Sequence, residues 1–110
     1  METLRQVIPH TPHEISVSLN LNEILRDVLE VSTPRLLAAG IVVDWEPAAT
    51  LPPMLGRPLQ LRLLFKALVD NAIEAMNIKG WKRRELKLTS ALTDGRIVVS
   101  VLRAFRPNGA

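Results

Sequence analysis

No cysteine, no tyrosine, and only two tryptophans and two phenylalanines occur in the chain. The first absence removes disulfides, thiolate metal sites and cysteine nucleophiles from consideration, and agrees with a reducing compartment. The scarcity of aromatics removes the stacking platform on which single-stranded nucleic acids are held. Long apolar runs are missing too: none approaches the roughly 20 residues that span a bilayer, and residues 1–8 have neither a basic leader nor an apolar signal core. A cytoplasmic location with no membrane contact is therefore expected. A strong charge of one sign is also lacking, since 14 basic side chains stand against 11 acidic ones for a net +3. That excess is too small for whole-molecule steering, and nucleic acid is not the expected partner.

What is there is an ordinary globular composition, 47% hydrophobic and 23% charged over 110 residues. A chain of this length forms one core and buries roughly two thirds of the surface that it exposes when unfolded. Its most regular stretch is residues 61–76, LRLLFKALVDNAIEAM, which is free of glycine and proline. Leu61, Leu64, Phe65, Leu68, Ala72 and Ala75 recur at the spacing of one apolar helical face, with Arg62, Lys66 and Asp70 opposite, where they can stay in water. Asn71 breaks the pattern at the edge of the stripe. A buried amide is costly without a hydrogen-bond partner or a ligand, so Asn71 is either a satisfied polar residue at a helix boundary or a ligand-holding group.

Before this helix, residues 1–14 read as a linker or remnant, METLRQVI followed by two prolines that stop a helix. Residues 15–19 alternate as a strand. Asn20 or Asn22 can cap a helix running towards Gly40, Asn20 having capping-box spacing to Glu23, and Pro34 within the helix predicts a kink or a restart near Thr33. Residues 41–46 alternate as a second strand, residues 47–53 form a proline-rich loop, and Pro58 suits a helix's first turn. After the long helix come Lys79, Lys82, Arg83, Arg84 and Lys87, either a solvated loop running into a strand or a site for phosphate, nucleic acid or an acidic partner. Leu86, Leu88, Ser90 and Leu92, then Ile97, Val99 and Val101, mark two strands joined by the hairpin signal Thr93-Asp94-Gly95. The expected fold is α+β, a two-layer sandwich with two main helices on one face of a mixed or antiparallel sheet of about four strands. Its domain spans residues 15–102, leaving residues 103–110 as an atypical tail.

The string VDNAIEAM, preceded by LQLRLLFKAL, resembles the N-box helix of the ATPase domain shared by sensor histidine kinases, gyrases and heat-shock chaperones. The order LNEILRDVLEVSTPRLLAAGIVVDWEP then LPPMLGRPLQLRLLFKALVDNAIEAM is similar to the first half of that domain, and the resemblance covers residues 19–102. It implies that the helix lines a nucleotide pocket and that Asn71 holds the magnesium ion bridging the phosphates of ATP or ADP. Lys79 and Arg83 are phosphate candidates by position. The wording RLLAAGIVVDW and FKALVDNAIEAMN looks most like the NifL-type nitrogen-fixation regulators, which use this domain for regulation by ADP and protein contact instead of histidine phosphorylation.

The resemblance breaks at two places. In that family the strand matched by residues 97–102 is followed by Asp-x-Gly-x-Gly, whose Asp reads the adenine amino group; here the chain reads RAFRPNGA, with Arg103 near that place. One turn before Asn71, where gyrases and chaperones carry a Glu that activates water, stands Ala67. Asp70 and Glu74 share the outer face and read as a solvated acidic edge. His13-Glu14 is only an echo of the kinase histidine motif and reads as a loop histidine. The expectation is a shortened nucleotide domain of a signalling kinase or kinase-like regulator, inactive alone, binding ATP or ADP weakly or not at all and holding no cofactor. A shifted reading frame from Arg103 onward would account for the tail. The alternative is a protein-interaction module with no nucleotide function, whose open edge beside residues 97–102 serves a signalling partner or self-association.

Overall fold

The computed structural model describes residues 15–79 and 83–105. Among them the elements run β1 (Val17–Leu19), α1 (Leu21–Ala38), β2 (Ile41–Glu46), β3 (Met54–Gly56), α2 (Pro58–Lys79), β4 (Arg84–Thr93) and β5 (Arg96–Phe105). Both helices pack on a three-stranded mixed sheet ordered β2-β4-β5, while β1 and β3 pair antiparallel in a two-stranded sheet of their own. The α+β sandwich expected from the periodicities is the one found, with Met54–Gly56 adding a strand that its sequence does not announce. No helix among the described residues is long and apolar enough to cross a membrane.

β2 runs parallel to β4 from Ile41↔Arg84 to Glu46↔Thr89, and β5 runs antiparallel to β4 from Thr93↔Arg96 to Arg84↔Phe105. The hairpin turn is Asp94-Gly95, with φ of 52° and 73°, the double positive φ of a type I′ turn. No hairpin can join parallel neighbours, so β2 reaches β4 through a crossover that carries β3 and α2. β5 continues to Phe105, three residues into the stretch set apart as a tail.

Asn20 caps α1 by accepting a hydrogen bond from the Asn22 N–H at 2.9 Å, and Gly40, at φ 67°, follows the helix end. The restart near Thr33 does not occur; α1 passes through Pro34 as one helix of 18 residues. The reason lies in packing. Leu25 and Val28 before the proline and Leu36 after it enter the same core, and burial of that shared face outweighs the roughly 3 kcal/mol that an interior proline costs.

The core is built from Leu25 of α1, Val69, Ile73 and Met76 of α2, and Leu86 and Leu88 of β4. The buried face of α2 thus differs from the stripe that spacing favours: Phe65, Val69, Ala72, Ile73 and Met76 point inward, whereas Leu64 and Leu68 stay 53% and 41% exposed. Two overlapping apolar rows run along this helix, and periodicity alone cannot say which one meets the sheet. Nor is the charged row merely in water. Arg62 pairs with Asp27 of α1 at 2.9 Å, and Asp70 pairs with Arg35 of α1 at 3.0 Å and with Lys66 at 2.9 Å. Asp70 therefore leaves the solvated acidic edge assigned to it and joins the helix interface; Glu74 remains exposed.

A polar contact set fixes the far end of the sandwich. Ser90, 5% exposed, donates to Asn22 Oδ1 at 2.6 Å and accepts from the Ala48 N–H at 2.9 Å, while Asn22 Nδ2 donates to the Ala48 carbonyl at 3.0 Å. The start of α1, the loop after β2 and the centre of β4 are joined by three bonds.

Candidate functional site

α1 packs over β2 and α2 over β5, which leaves α2 one flank against α1 and one facing past the open edge of the sheet. At about 3.6 residues per turn, Arg62, Lys66 and Asp70 fall on the first flank, and Leu64, Leu68, Asn71 and Ala75 on the second. Asn71 is exposed there, and its amide bonds to no described residue. It is therefore neither buried nor a satisfied boundary residue. Its carbonyl and amino group remain available to a ligand.

Beneath this flank, Ile97, Val99 and Val101 of β5 form a half-buried apolar floor. At the hairpin end Leu61, Phe65, Ile97 and Val99, with Leu21 and Met54, line an open cavity of about 610 Å³. At the other end stands Arg103, which lies opposite Leu86 in register and hence on the same helix-bearing side as Val101. Its side chain is exposed. The groove is apolar along its length, with an amide and a guanidinium towards one end.

The two phosphate candidates are placed differently. Lys79 is the last residue of α2, and its side chain lies outside the described set. Arg83 precedes β4, exposed and with no partner among the described residues. Arg84, the next residue, turns to the helix side and donates to the Ala39 carbonyl at 3.1 Å and to Asn77 Oδ1. Its cation thus ties together the C-terminal ends of both helices, where free carbonyls favour positive charge. Lys87 is on the other face of the sheet, 3.7 Å from Glu46. The described members of the basic cluster consequently form no single patch, while Lys82 and His13 lie outside the described residues. Nothing in the sequence marked Arg84 for a structural role, because its carbonyl partner is 45 positions away.

No three carboxylates, histidines or cysteines gather into a metal-binding group among the described residues. A single free amide such as Asn71 fits magnesium delivered with phosphates, since that ion keeps several waters and takes one or two protein ligands when phosphates supply the rest.

The β1–β3 pair, the β2-β4-β5 sheet and the two helices over it make up the fold of histidine kinase ATPase domains. In particular, the chain is similar to the catalytic domain of histidine kinase ThkA, with TM-score 0.71 and 24% identity over 84% of this chain and 60% of that one. Full-length ShkA, solved in complex with AMPPNP, matches with TM-score 0.65 and 28% identity over 78% of this chain and 18% of that one. The histidine kinase AdeS of Acinetobacter baumannii matches with TM-score 0.62 and 17% identity over 91% of this chain and 45% of its own. No protein-family model matches the chain. The chain spans at most about three fifths of these structures, the share being 60% for the ThkA catalytic domain.

Proposed function

We propose that this chain is the nucleotide-domain portion of a sensor histidine kinase or kinase-like signalling regulator, of cytoplasmic location, in which Asn71 ligates magnesium carried by ATP or ADP. The observation that carries the reading is an uncommitted Asn71 on the open flank of α2, within the fold of histidine kinase catalytic domains. Lys79, at the end of α2, and Arg83, just before β4, are the proposed phosphate contacts. The magnesium ion, when bound, neutralises phosphate charge. Asn71 orients it.

The same residues set the limits of this activity. Ala67, one turn before Asn71, offers no group to take a proton from water, so α2 supplies no general base for hydrolysis. Arg103 is a donor only and cannot accept a hydrogen bond from an amino group such as that of adenine. Nucleotide is therefore held weakly and not turned over, and the module acts through protein contact. The two segments that resemble NifL-type nitrogen-fixation regulators make such a regulator the specific assignment proposed. A second reading, a docking module with no nucleotide role, is favoured by the exposed Leu64 and Leu68 on the same flank. The related kinase ThkA has been solved in complex with the response regulator protein TrrA.

Calorimetric titration with magnesium-ADP separates the two readings, with Asn71→Ala as control. Weak heat, lost in the variant, is the expected result. Micromolar saturation would overturn the claim of weak binding, and heat unchanged in Asn71→Ala would overturn the role of Asn71. No heat from either folded protein would leave the docking reading.

A further inference from the structure

We propose that Arg103 is a phosphate-holding residue, placed so that it and Asn71 grip one diphosphate together, the guanidinium on the phosphate oxygens and the amide on the magnesium that they carry. The inference rests on the nucleotide reading of Asn71 and adds to it a contact from a different element.

β5 packs directly against α2, and two separate lengths along the fold bring Arg103 level with Asn71. At the hairpin end, Phe65 of α2 and Val99 of β5 line the same cavity. From there α2 rises about 9 Å to Asn71 and β5 runs about 13 Å to Arg103. At the opposite end, Asn77 of α2 meets Arg84, which stands opposite Phe105. Asn71 lies about 9 Å back along the helix from that point, and Arg103 about 7 Å back along the strand. Both routes put Arg103 only about 2–4 Å past Asn71, towards the end of α2. Arg103 also leaves the sheet on the helix-bearing side, since its cross-strand neighbour Leu86 is fully buried there.

Nothing among the described residues neutralises this cation. Arg103 has no partner there. By alternation Asp44, Glu46 and Glu85 stand on the other face of the sheet, and Asp70 is taken by Arg35 and Lys66. Arg84, on the same side as Arg103, is already bonded to the Ala39 carbonyl and to Asn77. A guanidinium offers five donors in a fork that fits phosphate oxygens two at a time, and it has no acceptor for the amino group of a base. Magnesium takes one or two protein ligands and leaves other phosphate oxygens free, so Asn71 and Arg103 do not compete for the same atoms. Ala67 and Ala75, one turn on either side of Asn71, keep its amide clear of bulky neighbours on its own row.

The test follows amide chemical shifts of the 110-residue chain, a readout suited to weak binding, during titration with magnesium-ADP and separately with magnesium-pyrophosphate. Arg103→Ala is expected to weaken both ligands about tenfold, the loss of one charge-assisted pair. Arg26→Ala, which removes the same charge from an exposed position of α1, is expected to change both by less than about twofold. Binding unchanged in Arg103→Ala but lost in Asn71→Ala overturns this inference and leaves the nucleotide reading standing. So does a loss confined to magnesium-ADP, which would assign Arg103 to the base. Binding that needs Arg103 yet survives in Asn71→Ala does the reverse, overturning the role of Asn71 and upholding the phosphate contact. A parent chain that shifts with neither ligand overturns both. If Arg103→Ala does not fold, Arg103→Gln, which keeps most of the length and loses the charge, decides in its place.

Discussion

Replacing Ser90 by alanine removes one hydroxyl from a place where three elements meet, and the structure gives the cost. That oxygen accepts from the Ala48 N–H at 2.9 Å and donates to Asn22 Oδ1 at 2.6 Å. In Ser90→Ala both groups lose their partner while the third bond, Asn22 Nδ2 to the Ala48 carbonyl at 3.0 Å, survives. A buried polar group left without a partner costs about 1–3 kcal/mol. Asn22 and Ala48 are only half-buried, so water reaches them in part and the lower end applies to each. The sum is about 2 kcal/mol, or a fall in Tm of about 8 °C for a domain of this size. Thermal unfolding followed by circular dichroism reads it directly. A double-mutant cycle sharpens the test: with Asn22→Ala already present, one of the two orphans no longer exists, and Ser90→Ala then costs about 1 kcal/mol less. A Ser90→Ala chain destabilised by under about 0.5 kcal/mol, or strict additivity in the cycle, refutes the shared network.

Ile73→Ala, at a fully buried site, should cost about 3 kcal/mol in chemical denaturation, whereas Leu64→Ala on the same helix should cost under about 1; the reverse order would restore the stripe that spacing favoured. Pro34→Ala returns a donor to the interior of α1 and should stabilise the protein by about 1 kcal/mol, the gain being trimmed by the looser unfolded chain. A loss of stability there would mean that the proline shapes the helix in a way the core requires.

The architecture was legible because its signals are local. Alternation in residues 41–46, 85–92 and 96–102, Asn20 before a helix, Gly40 after it and Asp94-Gly95 in the hairpin each act over a few residues, and each marks the element expected, although Val43 and Leu92 of the alternating rows are exposed. What was not legible depends on the third dimension. Which row of α2 meets the sheet is decided by where β4 and α1 lie, and that put Leu64 and Leu68 outside and drew Asp70 into the helix interface. β3 is three residues long and exists only through its pairing with Val17–Leu19. Of the site residues, Asn71 stood out as a polar group in an apolar row, but whether it was satisfied or free required the structure. The position of Arg84 between two helix ends had no local signal at all.

The order of the strands in space sets a constraint on how the molecule comes into being. β4 is the centre of the larger sheet, yet it leaves the ribosome after both helices, and β2 must wait for it. At about 5–20 residues per second, some seconds pass in which β2 and both helices have been made but have nothing to lie against. During that interval Leu25, Val28, Val69, Ile73 and Met76 have no β4 beneath them. The β4–β5 hairpin, with its two-residue turn, can then close on the scale of microseconds and offer the long-range parallel edge in one step. Assembly is therefore governed by the arrival of the hairpin, and the nascent chain spends its most adhesive period just before that moment.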